Sequence, residues 1–408
     1  MYVSIIGLGG VGLNFAVSLA DKGYNVFGID IDRKKVEAIN RGKSPFYEPS
    51  LEEKLISAME KGLLKSTTSY EEAIPKSKFI FVTVGTPFVQ NTLDMSYVKR
   101  AVSAIGKTMD TGKFQTVAVR STLLPWVSET LLKPILERET GTLCGEDFGL
   151  CYNPEFLARG KAIEDITHPD FVIIGEANNS GGELKKFYED FLGSTPIIRA
   201  PAKDVELLKL VSNAYLATKI SFANSVGETC DRAGVDANEI FSVLGMDKRI
   251  SSKFLKKGMS YGGPCFPRDL SALIAFVREI GCNPHLFEAT EKINNEHTAF
   301  IAEQVGKKIG GIKNKHIVVL GLAYKPEIDD VTNSASIKLV QELNAQGAKI
   351  SVYDPKAMEE ARKILGDTVE YLVNPPRGDL SYDCCIIATP WKEFEKIQFS
   401  GTLINPWR

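Results

Sequence analysis

The stretch MYVSIIGLGGVGLNFAVSLADKGYNVFGID (residues 1–30) decides how the rest of the chain is read. An apolar, β-branched run over 2–6 leads into GLGGVG at Gly7 to Gly12. The helix-like LNFAVSLADKG follows, and then YNVFGID, a second strand pattern ending at Asp30. Strand, G-x-G-x-x-G, helix, strand and acid, in that order, mark a dinucleotide-binding βαβ unit. Asp30 stands 18 residues beyond Gly12, near the ~20 that such units show. Gly7 permits the tight turn, Gly9 lets the backbone approach a pyrophosphate, and Gly12 lets helix and strand pack closely. Gly10 and Val11 complete the turn, and the helix N-terminus adds free N–H groups and positive dipole. Asp30 would accept from the adenosine ribose 2′-OH and repel a 2′-phosphate, so the expected cofactor is NAD rather than NADP. Lys34 and Lys35 follow closely, either as solvated helix charges or, for Lys35, as part of the cofactor site.

The α/β pattern continues. FIFVTVGTP (79–87) reads as a buried strand ending in a turn that carries Thr86, and TVAVRSTLLP (116–125) as a strand ending in Ser121-Thr122. Open α/β sheets bind ligands outside the carboxyl ends of their strands, which places Thr86, Ser121 and Thr122 to meet the cofactor unless they are plain turn residues.

Bulk properties set the boundaries. The chain has 408 residues, enough for two or three domains, with net charge −2 and 25% charged residues. There is no global basic field for nucleic acid and no polybasic tail for a membrane. No apolar run approaches the ~18 residues of a membrane span. The opening lacks a basic n-region and a small-residue cleavage site, so it reads as a strand rather than a signal peptide. The seven cysteines include no CxxC, and the four histidines are scattered. A reducing, cytoplasmic compartment and no metal are expected.

Three later stretches carry chemistry. NPEFLARG (153–160) follows the strand-like FGLCY; Glu155 is either a general base at a strand end or a helix N-terminal glutamate favoured by the dipole. AKDVELLKLVSNAYLATKISFANSVGETCDRAG (202–234) has the pattern of one long helix ended by Gly234, with Lys209 and Asn213 four residues apart on one face. They project together into a polar cleft, or Lys209 lies on the wet face. YGGPCFPRD (261–269) sets Cys265 between glycines and prolines, as a packed thiol or as a nucleophile. NKHIVVLGLAYKPEIDD (314–330), AKISVYDP (348–355) and YDCCIIATPW (382–391) read as strands of a further parallel-sheet domain. GLAYKP lacks the dinucleotide fingerprint, and Lys325 at that strand end can meet a phosphate.

Taken together, GLGGVG, VGTP, RST, NPEFLARG, KLVSNAYLATKISFANSVGE, DKRISSKFL, YGGPCFPRD and GLAYKPEIDD resemble, over essentially the full length, the nucleotide-sugar 6-dehydrogenases, most closely the UDP-glucose dehydrogenase group. The resemblance implies an α/β fold: a Rossmann-type NAD domain (1–198), a central helical dimerisation segment with the Cys loop (199–298) and a Rossmann-like UDP-sugar domain (299–408), joined by a long central helix. It implies a four-electron oxidation of a sugar CH2OH to a carboxylate, with NAD as cofactor, a UDP-sugar as substrate and a homodimer formed through the central helix. Carried over by motif position, Cys265 is the nucleophile. Lys209 and Asn213 steady the oxyanion, Asp269 supports them, and Glu155 and Thr122 manage protons with a water. Arg159 and Arg268 lie on the cofactor side. Glu155, Phe156, Leu157, Lys209, Asn213, Phe254, Lys256, Tyr261, Gly262 and Lys325 contact substrate, and Arg249 reaches a neighbouring subunit's sugar site.

The chain departs from the family pattern at two places of opposite sign. FLARG puts Arg159 where a cofactor-side glutamate is common, and DDVTNS puts Thr332 where an arginine is common. The two changes suggest an exchange in which Arg159 takes over the lost charge. Pro264 also stands where serine is frequent. The acetamido-sugar members tend to read GGHC before the nucleophile, which this chain does not; the same chemistry on UDP-N-acetylhexosamine or GDP-mannose, or a catalytically weakened nucleotide-sugar-binding paralogue, is the alternative.

Overall fold

A computed structural model describes residues 1–376 and 382–408. The chain divides into two compact units, Met1–Val211 and Ser212–Arg408. The first contains strands β1 (Tyr2–Ile6), β2 (Asn25–Ile29), β3 (Leu64–Thr67) and β4 (Phe79–Val82), a small hairpin of β5 (Phe88–Val89) and β6 (Thr92–Leu93), then β7 (Gln115–Val119), β8 (Phe148–Tyr152), β9 (Val172–Glu176) and β10 (Ile197–Pro201). Its sheet runs β10-β9-β8-β7-β4-β1-β2-β3. The portion β3-β2-β1-β4-β7-β8 is parallel and has the Rossmann order, with the switch point between β1 and β4. β9 pairs antiparallel to β8 and parallel to β10, so two reversed strands extend the sheet. β1, β4 and β7 are near-continuous apolar runs because helices cover both faces. One face is filled by an aromatic group in which Phe15, Phe81, Phe187 and Phe191 meet edge-on, stacked or tilted.

The second unit has a five-stranded, all-parallel sheet of β11 (His316–Leu320), β12 (Lys349–Tyr353), β13 (Glu370–Tyr371), β14 (Cys384–Ile387) and β15 (Thr402–Ile404), in the order β13-β12-β11-β14-β15. Neighbouring Cys384 and Cys385 point to opposite faces, one packing with Val319 and Ile386, the other with Val318 and Trp391. A 32-residue helix, Ala202–Ala233, runs from the first unit into the second and ends at Gly234, whose φ of +70° suits only glycine well. The fold is therefore α/β with two Rossmann-like domains and a long helix linking them.

The units repeat one device. In the first, the Leu8 amide donates to Asp30 Oδ2 at 2.8 Å, tying the loop after β1 to the acid that ends β2. In the second, Leu322 donates to Asp354 Oδ2 at 2.7 Å in the same way after β11 and β12. The occupancy of the two acids differs. Asp354 also accepts from Ala323, Lys356 and Ala357 amides and from the Trp391 indole, and is 1% exposed. Asp30 accepts otherwise from the Asp32 amide and Lys35.

Close packing explains the glycine spacing of the first turn. A Cβ on Gly12 would stand 1.9 Å from the Gly7 carbonyl oxygen and 2.5 Å from Thr83 Oγ1, whereas one on Gly9 would meet nothing within 4 Å. Gly12→Ala should therefore destabilise the chain by about 1–3 kcal/mol or more through overpacking, and Gly9→Ala should stay within about 0.5 kcal/mol of wild type. Chemical denaturation of both variants checks this; equal losses would contradict it.

Candidate active site

The first group of site residues lines the carboxyl ends of β1, β2, β4, β7 and β8 in the first unit. Thr83 Oγ1 donates to the carbonyls of Ile6 and Gly7 and braces the glycine turn from behind. The first helix, Gly12–Asp21, starts at Val11 without a side-chain cap; its Leu13 amide turns back to the Gly9 carbonyl at 3.0 Å, and the positive end of the helix dipole faces the turn. Burial would raise the Asp30 carboxyl, but Lys35 at 2.9 Å and the amides of Asp32 and Leu8 outweigh it and hold it below the usual range. Thr86 is 1% exposed and its hydroxyl has no partner among the described residues. Ser121 Oγ donates to the Val84 carbonyl at 2.7 Å, and Thr122 is buried beside it. Open space at Gly9, an orphaned hydroxyl at Thr86 and an ionised acid at the end of β2 fit a dinucleotide such as NAD.

The second group surrounds Glu155. This residue lies in the loop after β8, seven positions before the next helix, Ala162–Thr167, so the helix N-terminal reading is set aside. Its Oε2 accepts from the Leu157 amide at 2.9 Å. Its Oε1 and its carbonyl both face Lys209 Nζ, at 3.3 Å and 2.5 Å. Lys209 is 2% exposed and sits 5.0 Å from the centre of the Phe156 ring, so the buried reading of Lys209 holds rather than the wet-face one. Behind the loop, Arg120 donates to Asn153 Oδ1 and to the Tyr188 hydroxyl, and Asn153 Nδ2 donates to the Ile173 carbonyl. A cavity of about 170 Å³ opens there, bordered by Arg120, Asn153, Glu155, Phe156 and Tyr188 among others. One helical turn before Lys209, Glu206 is fully buried, with Oε1 accepting from the Ser128 amide at 2.8 Å and Oε2 unpartnered among the described residues. Burial pushes its carboxyl up to about 7 against the hydrogen bonds of Ser128 and Trp126.

The third group belongs to the second unit. Cys265 is the residue on which the helix Phe266–Glu279 begins, and it is half-buried. Asp269, in the first turn, is fully buried; it accepts from Asn213 Nδ2 at 2.6 Å and pairs with Arg268 Nε at 2.7 Å. Tyr261 is clamped by Asn294, which takes its amide at 2.8 Å and gives to its carbonyl at 3.0 Å. A Cβ on Gly262 would stand 2.5 Å from the Asn333 carbonyl oxygen, and the Gly263 amide donates to the Thr332 carbonyl at 2.8 Å. The Cys loop thus packs against the loop after β11, in which Lys325 is half-buried. The other expected substrate residues lie further out. Arg249 is exposed in the turn after the helix Ala237–Met246 and pairs with Asp247, Phe254 is 45% exposed at φ +61°, and Lys256 borders a cavity of about 110 Å³ with Trp391 and Trp407.

Of the remaining cysteines, 144, 151, 230, 384 and 385 are buried, and burial raises the thiols of Cys144, Cys151, Cys384 and Cys385 to about 11–12. Sequence reading missed Glu48, Arg120, Asn153, Glu206 and Asn294. A glutamate flanked by Tyr and Pro in PFYEPS was the one available signal for Glu48. Its partner, Arg159, is 111 residues away. Among the described residues no cluster suited to a metal ion occurs, and no helix is long and apolar enough to cross a membrane.

Three family profiles match the chain in order: the UDP-glucose/GDP-mannose dehydrogenase family NAD binding domain over 1–192, its central domain over 203–296 and its UDP binding domain over 318–404. The chain is 34% identical over 402 residues to the UDP-glucose 6-dehydrogenase YwqF of Bacillus subtilis, covering 98% of this chain and 90% of that one. It is also 34% identical over 359 residues to a GDP-mannose 6-dehydrogenase of Pseudomonas putida, covering 87% and 81%. The solved structure of a UDP-glucose dehydrogenase from Pyrobaculum islandicum matches with a TM-score of 0.92 at 35% identity, over 100% of this chain and 94% of that one.

Glu206 makes stability depend on pH. Its folded carboxyl is raised, so the folded chain holds the proton more tightly than the unfolded chain. The contribution is fully present below the ordinary carboxyl range and is lost as pH rises through about 7. Glu206→Gln should melt like wild type near pH 5 and be more stable at pH 8 by on the order of 2 kcal/mol. Thermal melts across that range check it; parallel profiles would contradict it.

Proposed function

The chain belongs to the UDP-glucose/GDP-mannose dehydrogenase family of NAD-dependent nucleotide-sugar oxidoreductases, and from that premise we propose that it oxidises the C6 hydroxymethyl of UDP-glucose to a carboxylate through a thioester on Cys265. Its functional segments are then 1–198, 199–298 and 299–408. The observation that carries the reading is a half-buried cysteine at a helix N-terminus, where the dipole favours a thiolate. UDP is supported by the third profile, a UDP binding domain. A second reading, the same chemistry on GDP-mannose, is supported by equal identity to the Pseudomonas putida enzyme.

NAD, when bound, accepts one hydride in each of two oxidations, so that CH2OH and water become a carboxylate with two NAD reduced and three protons released. The first oxidation leaves an aldehyde at C6. Cys265 adds its sulfur to that carbon, forming a C–S bond and a thiohemiacetal that still carries a C–H. The second oxidation leaves a thioester, and water breaks the C–S bond to give the carboxylate and return the thiol. Lys209 steadies the oxygen that bears negative charge at each stage, with Asn213 beside it. Asp269 orients Asn213 through the amide it accepts. Glu155 and Thr122 hold and move the proton of the hydrolytic water. Phe156, Leu157, Phe254, Lys256, Tyr261, Gly262 and Lys325 contact the sugar nucleotide, and Arg268 lies toward the cofactor.

We further propose a homodimer formed through the long helix, with Arg249 serving a partner's sugar site. Leu208, Val211, Tyr215 and Phe222 recur at helical spacing along Ala202–Ala233 and are 39–62% exposed, an apolar stripe that a second copy would cover. Tyr215→Glu combined with Phe222→Glu should halve the mass seen by light scattering; an unchanged mass would remove this face from the assembly.

A panel of UDP-glucose, GDP-mannose, UDP-N-acetylglucosamine and UDP-N-acetylmannosamine with NAD tests the substrate. Two NADH per UDP-glucose are expected. Cys265→Ser should lower four-electron turnover by orders of magnitude. A serine variant with undiminished turnover would exclude the thioester, and no NADH from any sugar would leave the catalytically weakened paralogue.

A further inference from the structure

We infer that Asn224 and Asn294 are positioning residues for the loop that carries Cys265. Each binds the main chain between Gly258 and Tyr261, and together they fix the register in which the thiol is presented. The inference deepens the proposed reaction and takes from it the role of Cys265 as carrier of the thioester.

The segment Gly258–Tyr261 belongs to no helix or strand, so no ladder sets its register. Side chains do so instead. Asn224, on the long helix Ala202–Ala233, accepts from the Gly258 amide at 2.9 Å through Oδ1 and donates to the Met259 carbonyl at 3.3 Å through Nδ2. Asn294, on the helix His285–Ile309, accepts from the Tyr261 amide at 2.8 Å and donates to the Tyr261 carbonyl at 3.0 Å. One turn further along that helix, His297 Nε2 donates to the Gly258 carbonyl at 2.8 Å. Three side chains thus hold five main-chain groups between Gly258 and Tyr261. A side-chain amide suits this task because it sets an acceptor and a donor side by side, as a neighbouring strand would. A shift of one residue would break all five bonds at once. Asn224 and Asn294 are buried, so water does not replace the lost partners. Packing opposes the shift as well, since a Cβ on Gly258 would run into the Trp407 ring.

The clamp lies close to the thiol. Gly262, Gly263 and Pro264 alone separate Tyr261 from Cys265. Gly262 has no room for a Cβ beside the Asn333 carbonyl, and Gly263 donates to the Thr332 carbonyl and accepts from Asn333 Nδ2 at 3.1 Å. Pro264 has a fixed φ. A tether of three such residues has little slack, so the placement of Tyr261 is passed on to Cys265. On the other side of Cys265 stands the helix Phe266–Glu279, held at Asp269 by Asn213. Asn224 and Asn294 therefore do for the loop side of the nucleophile what Asn213 and Asp269 do for the helix side.

Iodoacetamide labelling of the full chain, followed cysteine by cysteine by mass spectrometry, tests the proposal. Cys265 is half-buried, Cys282 is exposed, and Cys384 and Cys385 are buried. One reaction thus reports the loop, the reagent and the core. Asn224→Ala and Asn294→Ala should each speed the labelling of Cys265 about fivefold to a hundredfold, with Cys282, Cys384 and Cys385 labelled as in wild type. Asn224→Ser and Asn294→Ser are smaller perturbations and are read in the same way should an alanine variant fail to fold. Thr298→Val removes a contact to Ser260 Oγ at 3.2 Å on the same helix face without touching the main-chain clamp, and should leave Cys265 unchanged. With UDP-glucose, the alanine variants should lower kcat and leave KM for NAD unchanged. Labelling needs neither sugar nor NAD, so a chain that oxidises no sugar fails the thioester reading and leaves this test intact. Wild-type labelling of Cys265 in one alanine variant would overturn the role of that asparagine. An equal acceleration at Cys384 and Cys385, or an equal acceleration of Cys265 by Thr298→Val, would overturn the clamp as a whole.

Discussion

The buried pair of Lys209 and Glu155 is the interaction on which the arrangement of the first unit's site depends. An ammonium at 2% exposure and a carboxylate at 8% both forgo water, a cost of several kcal/mol per ion unless each is well partnered. Here both are. Lys209 meets the Glu155 carboxylate, its carbonyl and the Phe156 ring, and the second carboxylate oxygen takes the Leu157 amide. The pair fastens the early turns of the long helix to the loop after β8. It cannot be loosened cheaply, because removing one partner strands the other as an uncompensated buried charge.

The loop is also held from below. Arg120 places its guanidinium 4.5 Å from the centre of the Phe15 ring and binds Asn153 and Tyr188, while Asn153 reaches back to β9. Two independent sets of contacts, one through Lys209 and one through Arg120, thus converge on the five residues 153–157. Short segments that must present several backbone and side-chain groups at once need such over-determination, since a free loop would lose conformational entropy on each binding event.

What could be read from the sequence was what is local. GLGGVG, its following helix and Asp30 lie within one βαβ unit, and the spacing itself encodes the close approach of Gly12 to Gly7. The helix from Ala202 to Ala233 and its glycine stop were equally plain. The two sides of Cys384 and Cys385 follow from strand alternation alone. Partnerships were not legible. Glu48 with Arg159, Asn213 with Asp269, and Asn294 with Tyr261 join residues 33 to 111 positions apart, and neither periodicity nor propensity carries such information. Glu155 was ambiguous for a related reason: whether a glutamate caps a helix or pairs with a lysine depends on where the helix starts, and it starts late, at Ala162.

The shared device of the two sheets has a kinetic corollary. Asp354 spends its oxygens on four backbone amides and the Trp391 indole, and the second turn contains no G-x-G-x-x-G. Among the described residues, the cradle at Asp30 is therefore the one that suits a dinucleotide. On the proposed reaction, both oxidations draw on that cradle in succession. Spent cofactor has to depart and fresh cofactor arrive while the half-oxidised sugar waits, and an anchored intermediate makes that pause safe. The rate of cofactor exchange, rather than of bond breaking, then becomes a natural candidate for what limits turnover.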